Sequence, residues 1–128
     1  MNEEELQKEY YEYQYLQKQL QATRDQINQL RAAIDEANAA KQALENMSGE
    51  NVFSIGGGIL VKAKKTSETV LVETGARIIV EKTVPEAVTF LNKKMETLEK
   101  AINTFNSNAS NISKQLMQKE KLLRLNLD

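Results

Sequence analysis

The sequence predicts an α+β chain, mainly α: a long antiparallel two-helix coiled coil with a central pair of β-hairpins. Three observations carry this reading. Two segments of similar length hold apolar residues at alternating spacings of three and four. The stretch between them exchanges Gln and Glu for Val, Ile, Thr and Gly. Aromatics are 5%, charged residues 27%, and proline occurs once, a composition of long solvated helices rather than of a thick globular core.

The first segment, residues 1–47, contains neither Gly nor Pro. One row of its seam is Leu6, Tyr13, Leu20, Ile27, Ile34 and Lys41. The other is Glu9, Leu16, Thr23, Leu30, Ala37 and Leu44. An apolar stripe that narrow, kept through six heptads and interrupted by Glu9, Thr23 and Lys41, predicts a coiled-coil helix. Asn46-Met47-Ser48-Gly49 marks its stop.

In the middle region, residues 51–82, four strands are expected: Asn51–Ile55, Ile59–Lys64, Thr69–Glu73 and Arg77–Lys82. Gly56-Gly57-Gly58 and Thr74-Gly75-Ala76 are the expected hairpin turns. Apolar residues occupy both faces of these strands. Short hairpins are marginal alone and leave unpaired edges. Val52, Ile59, Val61, Val70, Val72, Ile78 and Val80 are therefore expected to assemble with strands of other subunits into a barrel-like platform.

The last segment, residues 84–127, opens at Thr83-Val84-Pro85-Glu86, the pattern of a capping box with proline in the first turn. Its seam runs Val84, Val88, Leu91, Met95, Leu98, Ile102, Phe105, Ala109, Ile112, Leu116, Lys119 and Leu123. Two such helices joined by a short middle region pair antiparallel within one chain. Thr23 then falls level with Phe105, Leu20 with Ala109, and Ala37 with Leu91, so small residues face large ones.

Function is read as much from what is missing as from what is present. With neither Cys nor His, thiolate nucleophiles, imidazole bases and the common zinc sites are excluded. A net charge of −1 argues against a nucleic-acid or anionic-membrane surface. Gly56-Gly57-Gly58 lacks the Gly-Lys-Ser/Thr of a phosphate loop and lies between strands, so no nucleotide or other cofactor is expected. A two-helix coil offers no concave catalytic pocket, so no enzyme is expected either. The acidic Met1-Asn2-Glu3-Glu4-Glu5 is unlike a secretory signal, which points to the cytoplasm.

The free ends of the two segments are richer in apolar residues than a coil requires. Tyr10, Tyr11 and Tyr15 cluster near one, and Leu122, Leu123, Leu125 and Leu127 near the other. A two-stranded seam uses two apolar residues per heptad. The surplus at these ends is expected to be a sticky surface for unfolded chains, with Met117 as a flexible neighbour.

Gly56-Gly57-Gly58-Ile59-Leu60-Val61-Lys62-Ala63, Val70-Leu71-Val72-Glu73-Thr74-Gly75-Ala76, and Glu81-Lys82-Thr83 with Glu86-Ala87 and Phe90-Leu91 together resemble a prefoldin subunit. Four strands resemble the alpha class, since beta-class subunits have one hairpin. The resemblance implies an ATP-independent chaperone in a hexamer of two alpha and four beta subunits. It holds non-native clients between its coils and passes them to a group II chaperonin. The apolar strand faces equally suit self-assembly, as in prefoldin-like subunits that form filaments, a structural or scaffold role.

Overall fold

A computed structural model describes residues 1–126. The element order is α1 (Glu3–Asn46), β1 (Glu50–Gly56), β2 (Ile59–Lys64), β3 (Thr69–Gly75), β4 (Ile78–Thr83) and α2 (Val84–Leu125). The chain is a long antiparallel two-helix coiled coil with two small antiparallel hairpins. It divides into two compact units, Met1–Ala33 with the chain from Thr97 onward, and Ile34–Glu96.

Both helices begin on caps written in the sequence. At α1, Asn2 Oδ1 accepts from the Glu5 N–H at 2.8 Å, and Glu5 Oε2 accepts from the Asn2 N–H at 3.3 Å. The two side chains thus satisfy otherwise orphaned N-terminal amides. At α2 the same exchange joins Thr83 and Glu86, with the Glu86 N–H donating to Thr83 Oγ1 at 3.3 Å and the Thr83 N–H to Glu86 Oε1 at 3.0 Å. The Thr83 N–H, joined by the Thr83 hydroxyl donating to the same Glu86 oxygen at 2.8 Å, holds the Glu86 carboxyl below its ordinary value of 4.5. β4 therefore passes straight into α2 without a loop.

In the unit of helix ends, Leu16, Ile27 and Ile102 are buried, all three at seam positions. The polar interruptions of that seam are accommodated by pairing. Lys119 Nζ lies between the carboxylates of Glu9 and Glu12, donating to Glu12 at 2.5 Å. That contact fixes antiparallel pairing and its register. Two heptads along each helix from the Lys119–Glu9 pair, in opposite directions, Thr23 comes level with Phe105, as the sequence implies. Thr23 satisfies its hydroxyl within its own helix, donating to the Gln19 carbonyl at 2.8 Å.

In the second unit the seam supplies buried Ala37, but the most enclosed residue is Ala87, at 2% exposure. The expected seam omits it. Ala87 lies three residues after Val84 and four before Leu91, beside Val88 on the same stripe, which is broader at this helix start than a strict two-row seam.

β1 pairs with β2, and β3 with β4, as two separate two-stranded sheets. Both hairpins share one construction. A register shift between Ser54 and Gly56, and between Glu73 and Gly75, leaves one extra residue in the first strand, and a two-residue turn follows. The first turn falls within the expected Gly56-Gly57-Gly58, whereas the second lies later than the expected Thr74-Gly75-Ala76. Gly56 faces Ile59 around Gly57-Gly58, and Gly75 faces Ile78 around Ala76-Arg77. Arg77, expected in the fourth strand, sits in the turn at φ 64°, with Ala76 at φ 48°. Positive φ at both central residues is the type I′ signature, which matches the right-handed twist of the flanking strands.

Candidate functional site

Near Glu3 on α1 and Leu123 on α2, the paired helices end in a surface more apolar than their packing requires. Tyr10, Tyr11 and Tyr15 are exposed on α1, and Leu122, Leu125 and Met117 on α2. Leu123 is half-buried. Leu127 lies outside the described residues. Tyr15 and Leu125 are 62% and 73% exposed, so their area is free for a ligand rather than spent on the coil.

The residues do not form one patch. A shallow groove of about 450 Å³ is lined by Glu3, Leu6, Gln7, Tyr10 and Leu123. It brings together one expected residue from each helix. Leu125 lines a different groove of about 330 Å³ with Met117, Glu120, Lys121 and Arg124. Tyr11 and Tyr15 lie in neither. Their hydroxyls accept hydrogen bonds from Gln7 Nε2 at 3.4 Å and Gln19 Nε2 at 3.3 Å, which orient the rings along the helix surface. Sequence reasoning assigned Leu6 to the seam alone. As the first apolar seam residue it has no further turn to cover it, and that end position was the available signal.

Electrostatically the end is held together by its cations. Lys119 is shared between Glu9 and Glu12, and Arg124 Nη2 meets Glu120 Oε1 at 2.6 Å. The hydrogen bond from Lys119 and its charge lower the Glu12 carboxyl from 4.5. The hydrogen bonds to Glu12 and Glu9 raise the Lys119 ammonium from 10.5. Glu9 and Lys119 sit at otherwise apolar seam positions, with Glu12 beside them, and the cluster is a register device: slipping either helix by a turn strands a partly buried charge.

The strand residues sort by register. Cross-strand partners share a face, and successive residues alternate. Phe53 opposes Val61, and Ile59 follows on the same side. Val72 opposes Val80, joined by Val70 and Ile78. Six of the seven expected assembly residues thus lie on one face of their hairpin. Val52 does not: it opposes Lys62 and shares the other face with Leu60. Phe53, absent from the expected set, takes the corresponding position on the apolar face.

The described arrangement has close counterparts. The family described as prefoldin subunit matches residues 16–126. Prefoldin subunit alpha of Pyrococcus horikoshii is 29% identical over 122 residues, covering 90% of this chain and 82% of that protein. The alpha subunit of Thermofilum pendens is 30% identical over 119 residues, covering 88% and 92%. Among solved structures, the prefoldin beta subunit from Thermococcus strain KS-1 superposes with a TM-score of 0.71 at 22% identity, covering 96% of this chain and 92% of that one. Filamentous prefoldin from Methanocaldococcus jannaschii gives 0.71 at 18%, covering 82% and 92%. These last two share the fold. With the family match spanning most of its length, with alpha subunits among its relatives and with its paired helices and two hairpins, this chain belongs to the prefoldin family.

Proposed function

We propose that the chain is a subunit of an ATP-independent holdase that binds non-native proteins at the ends of its coil and releases them to a group II chaperonin. Family membership supports a chaperone-type subunit. The observation that carries the finer reading is the surplus of exposed Tyr and Leu at the helix ends, around the Leu6–Tyr10–Leu123 groove. An unfolded segment presenting apolar side chains gains about 1.5–3 kcal/mol for each one fully buried, and less in a shallow groove. One end therefore binds weakly, and several ends on one assembly bind usefully. Release then needs no fuel, only competition from the next chaperone.

The Phe53–Ile59–Val61 and Val72–Ile78–Val80 faces are the surfaces for assembly with other prefoldin subunits, of beta class or of this same chain. A second reading, a self-assembling filament with a structural role, is favoured by the apolar residues on both faces of each hairpin and by the filamentous state of the M. jannaschii protein of like fold.

The test titrates a thermally aggregating client against wild type, a chain truncated before Leu122, and a Tyr10→Ser/Tyr11→Ser/Tyr15→Ser variant, at equal oligomer concentration. Both variants should lose most protection while keeping oligomer mass. Protection equal to wild type in both places client binding away from the helix ends.

A further inference from the structure

Two grooves line up along one flank of α1. Glu3, Gln7 and Tyr10 line the groove that Leu6 and Leu123 complete. Gln14, Gln17 and Gln21, with Lys18 at the edge, line a second shallow groove of about 310 Å³. Positions 3, 7, 10, 14, 17 and 21 are spaced alternately by four and three, the spacing of the seam itself, so they form a row beside it. From Gln7 to Gln21 the row is uncharged: four carboxamides and one tyrosine, with Glu3 before them and Arg24 after. The row on the other flank differs. It runs Glu5, Lys8, Glu12, Tyr15 and Gln19, and its polar groups are spent within the chain. Glu5 caps the helix, Glu12 meets Lys119, and Gln19 donates to the Tyr15 hydroxyl. Gln14 and Gln17 are exposed and make no side-chain hydrogen bond among the described residues. Gln21 donates to Asp25 Oδ1 at 2.9 Å, which lays its carboxamide along the helix surface. Helix propensity does not explain the run of Gln, since Glu and Lys form helices as well and fill the other flank.

We propose that this row is a subsite for the client's main chain: an extended non-native segment sets an apolar side chain in the Leu6–Tyr10–Leu123 groove and runs its backbone along Gln14, Gln17 and Gln21. The inference rests on the client-binding reading of the helix ends. A carboxamide is the side-chain counterpart of a peptide group, with two donors and an acceptor, and matches the N–H and C=O of any sequence. From Gln7 to Gln21 the row is about 21 Å long, room for about six extended residues. Its lack of charge leaves no Coulomb preference among client sequences. A folded protein has its main-chain groups already paired. The row therefore separates non-native from native chain by a second criterion, beyond the exposure of apolar side chains. Each hydrogen bond formed here replaces one to water, so its net gain is small. The carboxamides orient and retain a segment that the apolar groove has anchored, and do not capture one alone.

The experiment measures fluorescence anisotropy of two labelled peptides with the intact chain. Each has a central Leu-Phe anchor and Ala-Ser flanks of about six residues. In one, the flanks are N-methylated, which removes their N–H donors and keeps every side chain. Three proteins are compared: wild type, Gln14→Met/Gln17→Met, and the same change on the other flank, Gln26→Met/Gln29→Met. Methionine matches glutamine in length, adds apolar area and cannot donate. All four positions are exposed, so helical circular dichroism should be unchanged. Wild type should bind the unmodified peptide about fivefold more tightly than the N-methylated one. Gln14→Met/Gln17→Met should bind the unmodified peptide about fivefold more weakly and lose the difference between the two. Gln26→Met/Gln29→Met should behave as wild type. Equal affinity of wild type for both peptides overturns the inference, as does unchanged or tighter binding by Gln14→Met/Gln17→Met, which would make the row plain apolar contact area. So does competition by a disulfide-bonded protein in its native form equal to that by its reduced, carboxymethylated form, or displacement of peptide as chain concentration rises, which would make a second copy the occupant. Tyr10→Ser separates the two levels. If it weakens both peptides while wild type binds them equally, the apolar groove stands and the backbone subsite falls. Binding of neither peptide to wild type overturns both.

Discussion

The coil seam and the hairpin faces are built from the same aliphatic side chains and treat them oppositely. Ile27 and Ile102 are 5% and 8% exposed, whereas Ile79 is 63% exposed. The difference is one of available partners. A helix row meets a second row within the chain, and even its polar members, Glu9 and Lys119, find each other. A two-stranded hairpin has two faces and two edges, and no layer among the described residues covers them all. The seam is complete in one copy. The hairpins leave much of their aliphatic surface uncovered in one copy.

The largest test of that contrast lies in the seam. Ile27→Pro removes a helix hydrogen bond and a buried side chain together, and should cost about 3 kcal/mol or more with visible loss of helix. Ile79→Thr should change the stability of the dissociated chain by no more than about 0.5 kcal/mol. Thermal melts followed by circular dichroism compare the two directly, and equal losses erase the distinction.

Next in size is the effect on assembly. Ile78→Lys with Val80→Lys should dissociate the oligomer while keeping the helical signal, because burying two ammonium groups in an apolar sheet interface is prohibitive. Native mass unchanged in that variant removes the strands from the interface.

A smaller contrast separates the two hairpins. They adopt the same turn, one with Gly57-Gly58 and the other with Ala76-Arg77. Left-handed backbone costs a non-glycine residue about 1–2 kcal/mol, partly offset by the greater freedom glycine has in the unfolded chain. Arg77→Gly should therefore stabilise the second hairpin by about 0.5–1 kcal/mol, and Gly57→Ala should weaken the first by a similar amount. A Cβ at Gly57 meets nothing within 4 Å, so that cost is conformational alone. Hydrogen exchange of the strand amides reports each hairpin separately, and the two substitutions should move it in opposite directions.

The smallest effect expected is with pH. Glu12 and Glu86 titrate below their ordinary value in the folded chain, so their stabilisation is fully present above about 4.5 and is lost as pH falls through the folded values. Lys119 titrates above its ordinary value, so its share is present below about 10.5 and is lost as pH rises through the folded value. Stability should be level between these limits and fall outside them. Glu86→Gln should shrink the acid limb, and Lys119→Met the alkaline one. Unchanged limbs in both variants detach the caps and the Lys119 cluster from stability.

By itself the sequence determined the helices, their stripes, the Thr83–Glu86 cap and the level at which Thr23 meets Phe105. These follow from spacings of three and four residues and from side-chain volume, both of which are local or repeat many times along the chain. It also marked Tyr10, Tyr11, Tyr15, Leu122 and Leu125 as surplus, because heptad counting shows what a seam does not use. Only the tertiary structure decided what depends on one residue's offset. The bulge at Glu73–Gly75 moved the second turn and put Arg77 into it, and the bulges at Ser54–Gly56 and Glu73–Gly75 set which strand residues share a face. Val52 was thereby separated from Val61, and Tyr10 and Leu123 were brought to one groove while Leu125 lined another. Composition cannot reveal a one-residue shift, yet in a strand that shift exchanges the two faces, because side chains alternate with a period of two.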